Sequence, residues 1–146
     1  MNIDIDIVEK DLHRNPFDSY MDFHVDEAGE EQTVLTFDNS GSTWENPNGT
    51  MYGGVLFAMA DSAMEAACAV LGKAVLTVDI SMNFLAPTHA DTQVRAIAKI
   101  IHNGHTTMVG TCDFYDNNDR HLAHGKGTFY VTGPYHFPEK GDDMDG

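Results

Sequence analysis

The chain has 146 residues, 42% of them hydrophobic, a length at which one domain buries roughly 68–70% of the surface that its unfolded form exposes. Its formal charge of −15, from 23 acidic against 8 basic residues, excludes a nucleic-acid binder, which needs clustered Lys and Arg. Two cysteines, Cys68 and Cys112, are too few for a secreted disulfide framework and read as buried thiols.

The first ten residues, MNIDIDIVEK, carry no basic start leading into an apolar run, so they do not form a secretion signal, and a cytoplasmic address is expected. Residues 1–16 are polar, end at Pro16 and are expected to lie loosely on the surface. Between residues 20 and 38, two strand-like runs flank the turn formers around Gly29, which predicts an opening hairpin. Asn39, Ser40, Gly41 and Ser42, then Asn46, Pro47, Asn48 and Gly49, cannot continue a strand and predict a loop.

Residues 53–71 are dominated by good helix formers and are closed by Gly72, where a left-handed cap would sit. Apart from Asp61, Ser62 and Glu65 this helix is apolar all round, so the rest of the protein is expected to wrap it. Its longest nearly apolar stretch, residues 53–60, is far shorter than the ~20 residues a bilayer demands. Strict alternation then places Leu76, Val78, Ile80, Met82 and Phe84 on one face of a strand, and Val75, Thr77, Asp79, Ser81 and Asn83 on the other. Further alternating runs follow at residues 94–100, 106–114 and 121–132, divided by Asn103-Gly104 and by the turn formers of residues 116–119. Four consecutive antiparallel strands are predicted, the last with Ala123, Gly125 and Gly127 small enough to let a helix lie close.

The fold class is therefore α+β, an antiparallel sheet of five to six strands wrapped around one long helix. Residues 1–133 form this single domain, and residues 134–146 are expected to be an acidic flexible tail. One helix covers only one face of such a sheet, so its other face or its edge is expected to pair with a second copy.

Chemistry concentrates around the helix. Its first N–H groups have no partner within the helix, and Gly53 and Gly54 leave them open to a developing oxyanion, although the pair could simply permit a tight turn. Asp61 is a carboxylate in an apolar helix and needs compensation, either a catalytic setting or a structural hydrogen bond. It lies eight residues beyond Gly53, about 12 Å along the axis, too far for both to touch one reacting atom. Two such helices packed antiparallel would bring Asp61 of one to the Gly53 N–H of the other. Glu65, one turn further on, stands ~6 Å from Asp61, where like charge raises one pKa unless the side chain reaches solvent. The histidine pairs 102/105 and 121/124 are three apart, which in a strand places them on opposite faces, and no metal site is expected.

The run Tyr52-Gly53-Gly54 with Ala60-Asp61, preceded by Asn46 and followed by Phe84-Leu85-Ala86-Pro87, resembles the hot-dog-fold acyl-CoA thioesterases of the PaaI type, associated with phenylacetyl-CoA metabolism. The resemblance covers about residues 33–132. That family places Asn six residues before a His-Gly-Gly, and Asp nine beyond the His. Asn46, Gly53 and Asp61 keep the spacing, and Tyr52 stands in place of the His.

The resemblance implies hydrolysis of a small or medium acyl-CoA thioester, aromatic ones included. In it the Gly53 amide polarises the carbonyl, Asp61 of a partner subunit serves as general base or nucleophile, Asn46 helps to place the carbonyl or water, and Thr77 orients the water. It further implies a dimer of dimers without cofactor or metal, and beside it Tyr52, Gly54 and Glu65 are candidate substrate contacts in this sequence. At the CoA end it points to the turn holding His105, with Lys99 and Lys126 as the nearby cations. Two rivals remain at this level: a hot-dog module that binds acyl-CoA without catalysis, and a hot-dog hydratase or dehydratase.

Overall fold

A computed structural model describes residues 3–40 and 44–138. Two short helices, α1 (Ile5–Leu12) and α2 (Pro16–Met21), precede strands β1 (His24–Ala28) and β2 (Thr33–Asn39). The helix α3 (Gly53–Val70) follows, then β3 (Lys73–Phe84), β4 (Thr92–Asn103), β5 (Thr107–Tyr115) and β6 (His121–Pro134). All six strands form one antiparallel sheet in the order β1-β2-β4-β5-β6-β3. The sheet curls around α3, whose Met59, Ala60, Ala63, Met64 and Cys68 are wholly buried against Leu35, Ala96, Cys112, Phe114 and Phe129.

Small residues bring helix and sheet together. A Cβ on Gly127 would stand 3.0 Å from the Met64 methyl, and one on Gly110 would stand 3.3 Å from its sulfur. Gly72 ends α3 at φ +85°, a conformation that costs glycine little and other residues much. α3 is the one helix among the described residues long and apolar enough to cross a membrane, and it is the helix around which the sheet closes.

Residues 1–16 were expected to be loose, yet α1 and α2 are capped and packed. Asp4 accepts from the Asp6 N–H at 2.9 Å, Asn15 accepts from the Phe17 N–H at 3.2 Å, and Pro16 occupies the first helical position, where its missing N–H costs nothing. Val8 and Met21 bury themselves in the core. At the other end, β6 continues to Pro134, one residue into the expected tail. The Tyr135 N–H donates to Gly72 O at 2.8 Å, its hydroxyl donates to Asp11, and Phe137 packs beside it. Residues 139–146 of that tail lie outside the described residues.

The strand order corrects the expected four-strand meander. β4, β5 and β6 are consecutive neighbours, but β3 pairs with β6 at the far edge, because β4 already has β2 on one side and β5 on the other. Residues 85–91 carry the chain across, beginning with the Leu85 and Ala86 N–H groups bonded to Leu122 O.

Register shifts also break the expected alternation, and two of them re-aim polar side chains. In β3, Thr77 pairs with Phe129 and Asp79 with Thr128, so Val78 has no opposite residue. Val75 and Thr77 therefore share the helix side with Ile80, Met82 and Phe84, while Leu76 pairs with Tyr130 on the outer face. In β6, Phe114 pairs with Ala123 and Tyr115 with His121, skipping Leu122. His121 and His124 consequently lie on one face, each 2.8 Å from the same oxygen of Asp113.

Candidate active site

The α3 N-terminus forms the first half of the site. The turn-forming residues 46–50 fold onto Asn46, whose Oδ1 accepts from the Asn48 and Thr50 N–H groups at 2.9 and 3.3 Å, and whose Nδ2 donates to Thr50 Oγ1 at 3.0 Å. Tyr52, at φ −59° and ψ 123°, precedes the helix without capping it through its side chain. The positive end of the helix dipole is therefore left without a side-chain cap, at two partly exposed residues that have no side chain of their own. A Cβ on Gly53 would sit 3.2 Å from the Phe84 ring. On Gly54 it would sit 2.3 Å from the Tyr52 ring, which folds over that residue while remaining 63% exposed.

Beside the Gly53 end lies a cavity of about 320 Å³ lined by Asn46, Gly53, Leu56, Phe84, Pro87 and Thr88, among others. Asn46, Gly53 and the Phe84–Pro87 segment, spread over four tens of residues in sequence, thus border one space. The Met51 N–H donates to Thr88 O at 2.8 Å, which ties the loop before the helix to the segment after β3. Sequence reasoning passed over Thr88. It is buried, and its hydroxyl has no hydrogen-bond partner among the described residues.

The second half sits midway along α3. Gly54, Phe57, Ala58, Asp61, Glu65 and Ala69 recur at three- and four-residue spacing and form a stripe that the chain itself leaves partly uncovered, with Gly53 and Val70 partly uncovered at the two ends of the helix. Asp61 Oδ1 accepts from Thr77 Oγ1 at 2.7 Å, a contact made possible by the bulge that turns Thr77 toward the helix. Glu65 is pushed up to about 8, by burial first, then by the Asp61 charge and a hydrogen bond with Asp61, and by Asp18 beyond.

Asp18 was missed in the sequence, and Ser62 was noted there only as a polar residue of the helix, without a partner. Asp18, on α2, is 2% exposed and accepts from Ser62 Oγ at 2.6 Å. Burial raises its pKa, opposed by that hydrogen bond and by His13, with Asp61 adding to the rise. A cavity of about 250 Å³ borders Asp18, Ser62 and Glu65 on the side away from the helix tip.

Within one protomer the halves stay apart. Asp61 does not line the Gly53 cavity, and the helix separates the two residues by about 12 Å. The Asn46 side chain is engaged by its own loop. Lys99 and Lys126 are exposed on the outer face of the sheet, each paired with Thr111, and His105 is exposed in the β4–β5 turn, so none of the three joins either half.

A family model described as the thioesterase superfamily matches residues 48–123, over half of the chain, taking in Gly53, Asp61 and Thr77. The chain belongs to the thioesterase superfamily. No curated protein matches this superfamily member in sequence. Among solved structures it is similar to the E. coli PaaI protein from the phenylacetic acid degradation operon, at 21% identity and a TM-score of 0.80 over 90% of this chain and 97% of that one. It is also similar to a hypothetical thioesterase with coenzyme A from Streptococcus pneumoniae, at 24% identity and a TM-score of 0.74 over 78% and 91%. A mutant of PaaI from Thermus thermophilus aligns at 22% identity and a TM-score of 0.74 over 80% and 98%. These likenesses establish the hot-dog fold of this thioesterase-superfamily chain.

Proposed function

We propose that the protein hydrolyses small or medium acyl-CoA thioesters, aromatic acyl groups included, at sites that two copies build together. The observation that carries this reading is the division of the site: an open helix tip beside a cavity, and a carboxylate on the uncovered stripe of the same helix, too far away to cooperate with it. A two-fold axis that packs the stripes antiparallel would set Asp61 of one copy against the Gly53 tip of the other. The β3 edge favours such pairing. Its outer side has no strand neighbour among the described residues, and it carries Leu76 and Val78, each 63% exposed, an unprotected edge of the kind that recruits another chain. Two such dimers would form the tetramer.

In this arrangement the thioester carbonyl rests on the Gly53 N–H, where the dipole stabilises the negative charge that develops on its oxygen. Asp61, steadied by Thr77, either takes a proton from water as that water adds to the carbonyl carbon, or adds to the carbon itself before water releases the acid. Cleavage of the C–S bond sends the thiolate out, and the proton taken from water completes CoA–SH. Asn46 shapes the loop that borders the carbonyl, Tyr52 covers Gly54 where the family has His, and His105, Lys99 and Lys126 serve the nucleotide end. CoA and acetyl-CoA in related structures support an acyl-CoA ligand.

The test is thiol release from an acyl-CoA panel by Asp61→Asn, by Gly53→Pro and by their mixture. Pro suits position 53, the first residue of the helix, because Tyr52 already holds the extended ψ that a following Pro demands. Each variant alone is expected to be inactive, and the mixture to recover about a quarter of wild-type activity, since half the dimers are mixed and each mixed dimer has one intact site. A well-exchanged mixture with no recovery would overturn the shared site. Tight acyl-CoA binding without turnover by the wild type would favour the non-catalytic reading to which Tyr52 points.

A further inference from the structure

Glu65 lies one turn beyond Asp61 on the uncovered stripe of α3, and like charges at that spacing repel. Among the described residues no cation forms an ion pair with either carboxyl. The cavity beside Glu65 is also bordered by Asp11 from α1, Asp18 from α2, Lys73 from β3 and Tyr135 beyond β6. Lys73 is drawn away, its Nζ donating to Asn103 Oδ1 at 2.6 Å and to Gly104 O at 2.8 Å. Asp11 accepts from Tyr135 and Arg14, and Asp18 is occupied by Ser62. On the other side Thr77 already donates to one oxygen of Asp61.

We propose that Glu65 is a positioning residue that keeps its proton and donates it to Asp61, so that the two carboxyls work as one pair with a single proton and a single negative charge. Asp61 is then held from two directions, by the Thr77 hydroxyl across the sheet and by Glu65 along the helix. Burial and the neighbouring carboxylates support this by raising Glu65 to about 8, above neutral pH. The inference rests on the proposed hydrolysis for its catalytic use. In that cycle the proton that Asp61 takes from water leaves with the thiolate, while the Glu65 proton is neither gained nor lost. Above about pH 8 the pair becomes a dianion, and the donor that orients Asp61 is gone.

The experiment records kcat/KM from about pH 5 to about pH 10 for wild type, Glu65→Gln and Glu65→Leu. Wild type is expected to show a descending limb near pH 8. Glu65→Gln, whose amide donates without titrating, is expected to lose that limb. Glu65→Leu is expected to fall at least tenfold at every pH, with KM little changed. A second measurement needs no turnover: ¹³C NMR of side-chain-labelled glutamate, with Glu65→Gln assigning the signal, should find one carboxyl titrating near pH 8 and moving down in Asp61→Asn. A Glu65 signal titrating in the ordinary carboxylate range, or a limb that persists in Glu65→Gln, overturns the pair. If no acyl-CoA is turned over while the signal still titrates near pH 8 and falls in Asp61→Asn, the pair stands and the hydrolytic reading fails.

Discussion

Thr77→Val is the substitution that separates orienting the carboxylate from merely containing it. Valine keeps the β-branched shape that β3 favours and removes only the hydroxyl, which stands 2.7 Å from Asp61 Oδ1. A hydrogen bond to a charged acceptor is worth ~1.5–3 kcal/mol net. If Asp61 must hold its direction in the transition state, most of that energy appears in the barrier, and at 1.36 kcal/mol per tenfold it corresponds to a loss in kcat of about 10- to 150-fold. KM should change little, because the hydroxyl faces the carboxylate and leaves the acyl cavity unaltered. Thr77→Ser, which restores the donor, should return to within about threefold of wild type. Thr77 is at the surface of the protomer, so the Tm of the valine variant should move by no more than about 2 °C. Release of free thiol from acyl-CoA, followed by a thiol-reactive dye at pH 7, measures the rates. A folded Thr77→Val enzyme within twofold of wild type would refute the claim that this hydroxyl orients a catalytic carboxylate.

Ser62→Ala takes the donor from the buried Asp18 and should cost ~1.5–3 kcal/mol, a fall in Tm of roughly 3–10 °C for a chain of this size. Because burial raises the Asp18 pKa, its folding contribution is fullest below the ordinary carboxylate range and is lost as pH rises through the raised value. Ser62 opposes that rise by favouring the ionised form, so the Tm deficit should widen between about pH 4 and pH 8, read at one protein concentration; an equal deficit at both would contradict the assignment. Burial pushes the Cys68 thiol up to about 12, with the Glu65 charge adding to it, and pushes Cys112 up as well. Neither should react with a thiol reagent at pH 8 until denaturant is added, and a native thiol titrating within minutes would contradict their burial.

Much of the molecule can be read locally. Helix formers from Gly53 onward, with Gly72 to stop them, mark α3 to within a residue, because propensity and the left-handed cap act over a few neighbours. The hairpin and the alternating strands are legible for the same reason. The N-terminal helices are short and charged, too weakly periodic to stand out, although Asp4 and Asn15-Pro16 were capping signals in plain view. Their omission concealed Asp18, whose partner Ser62 is 44 residues away.

What the sequence by itself determined was the kind of fold and the set of polar groups around one apolar helix: two glycines at its tip, Asp61 and Glu65 along one face, and Asn46 in the loop before it. Only the tertiary structure decided which way the strands turn those groups. β3 lies at the sheet edge because β4 has no free side for it, and the unpaired Val78 reverses the alternation so that Thr77 meets Asp61 instead of facing outward. A single unpaired residue in a strand changes the face of everything beyond it, and its position depends on a partner strand some 50 residues away that no local pattern can reveal.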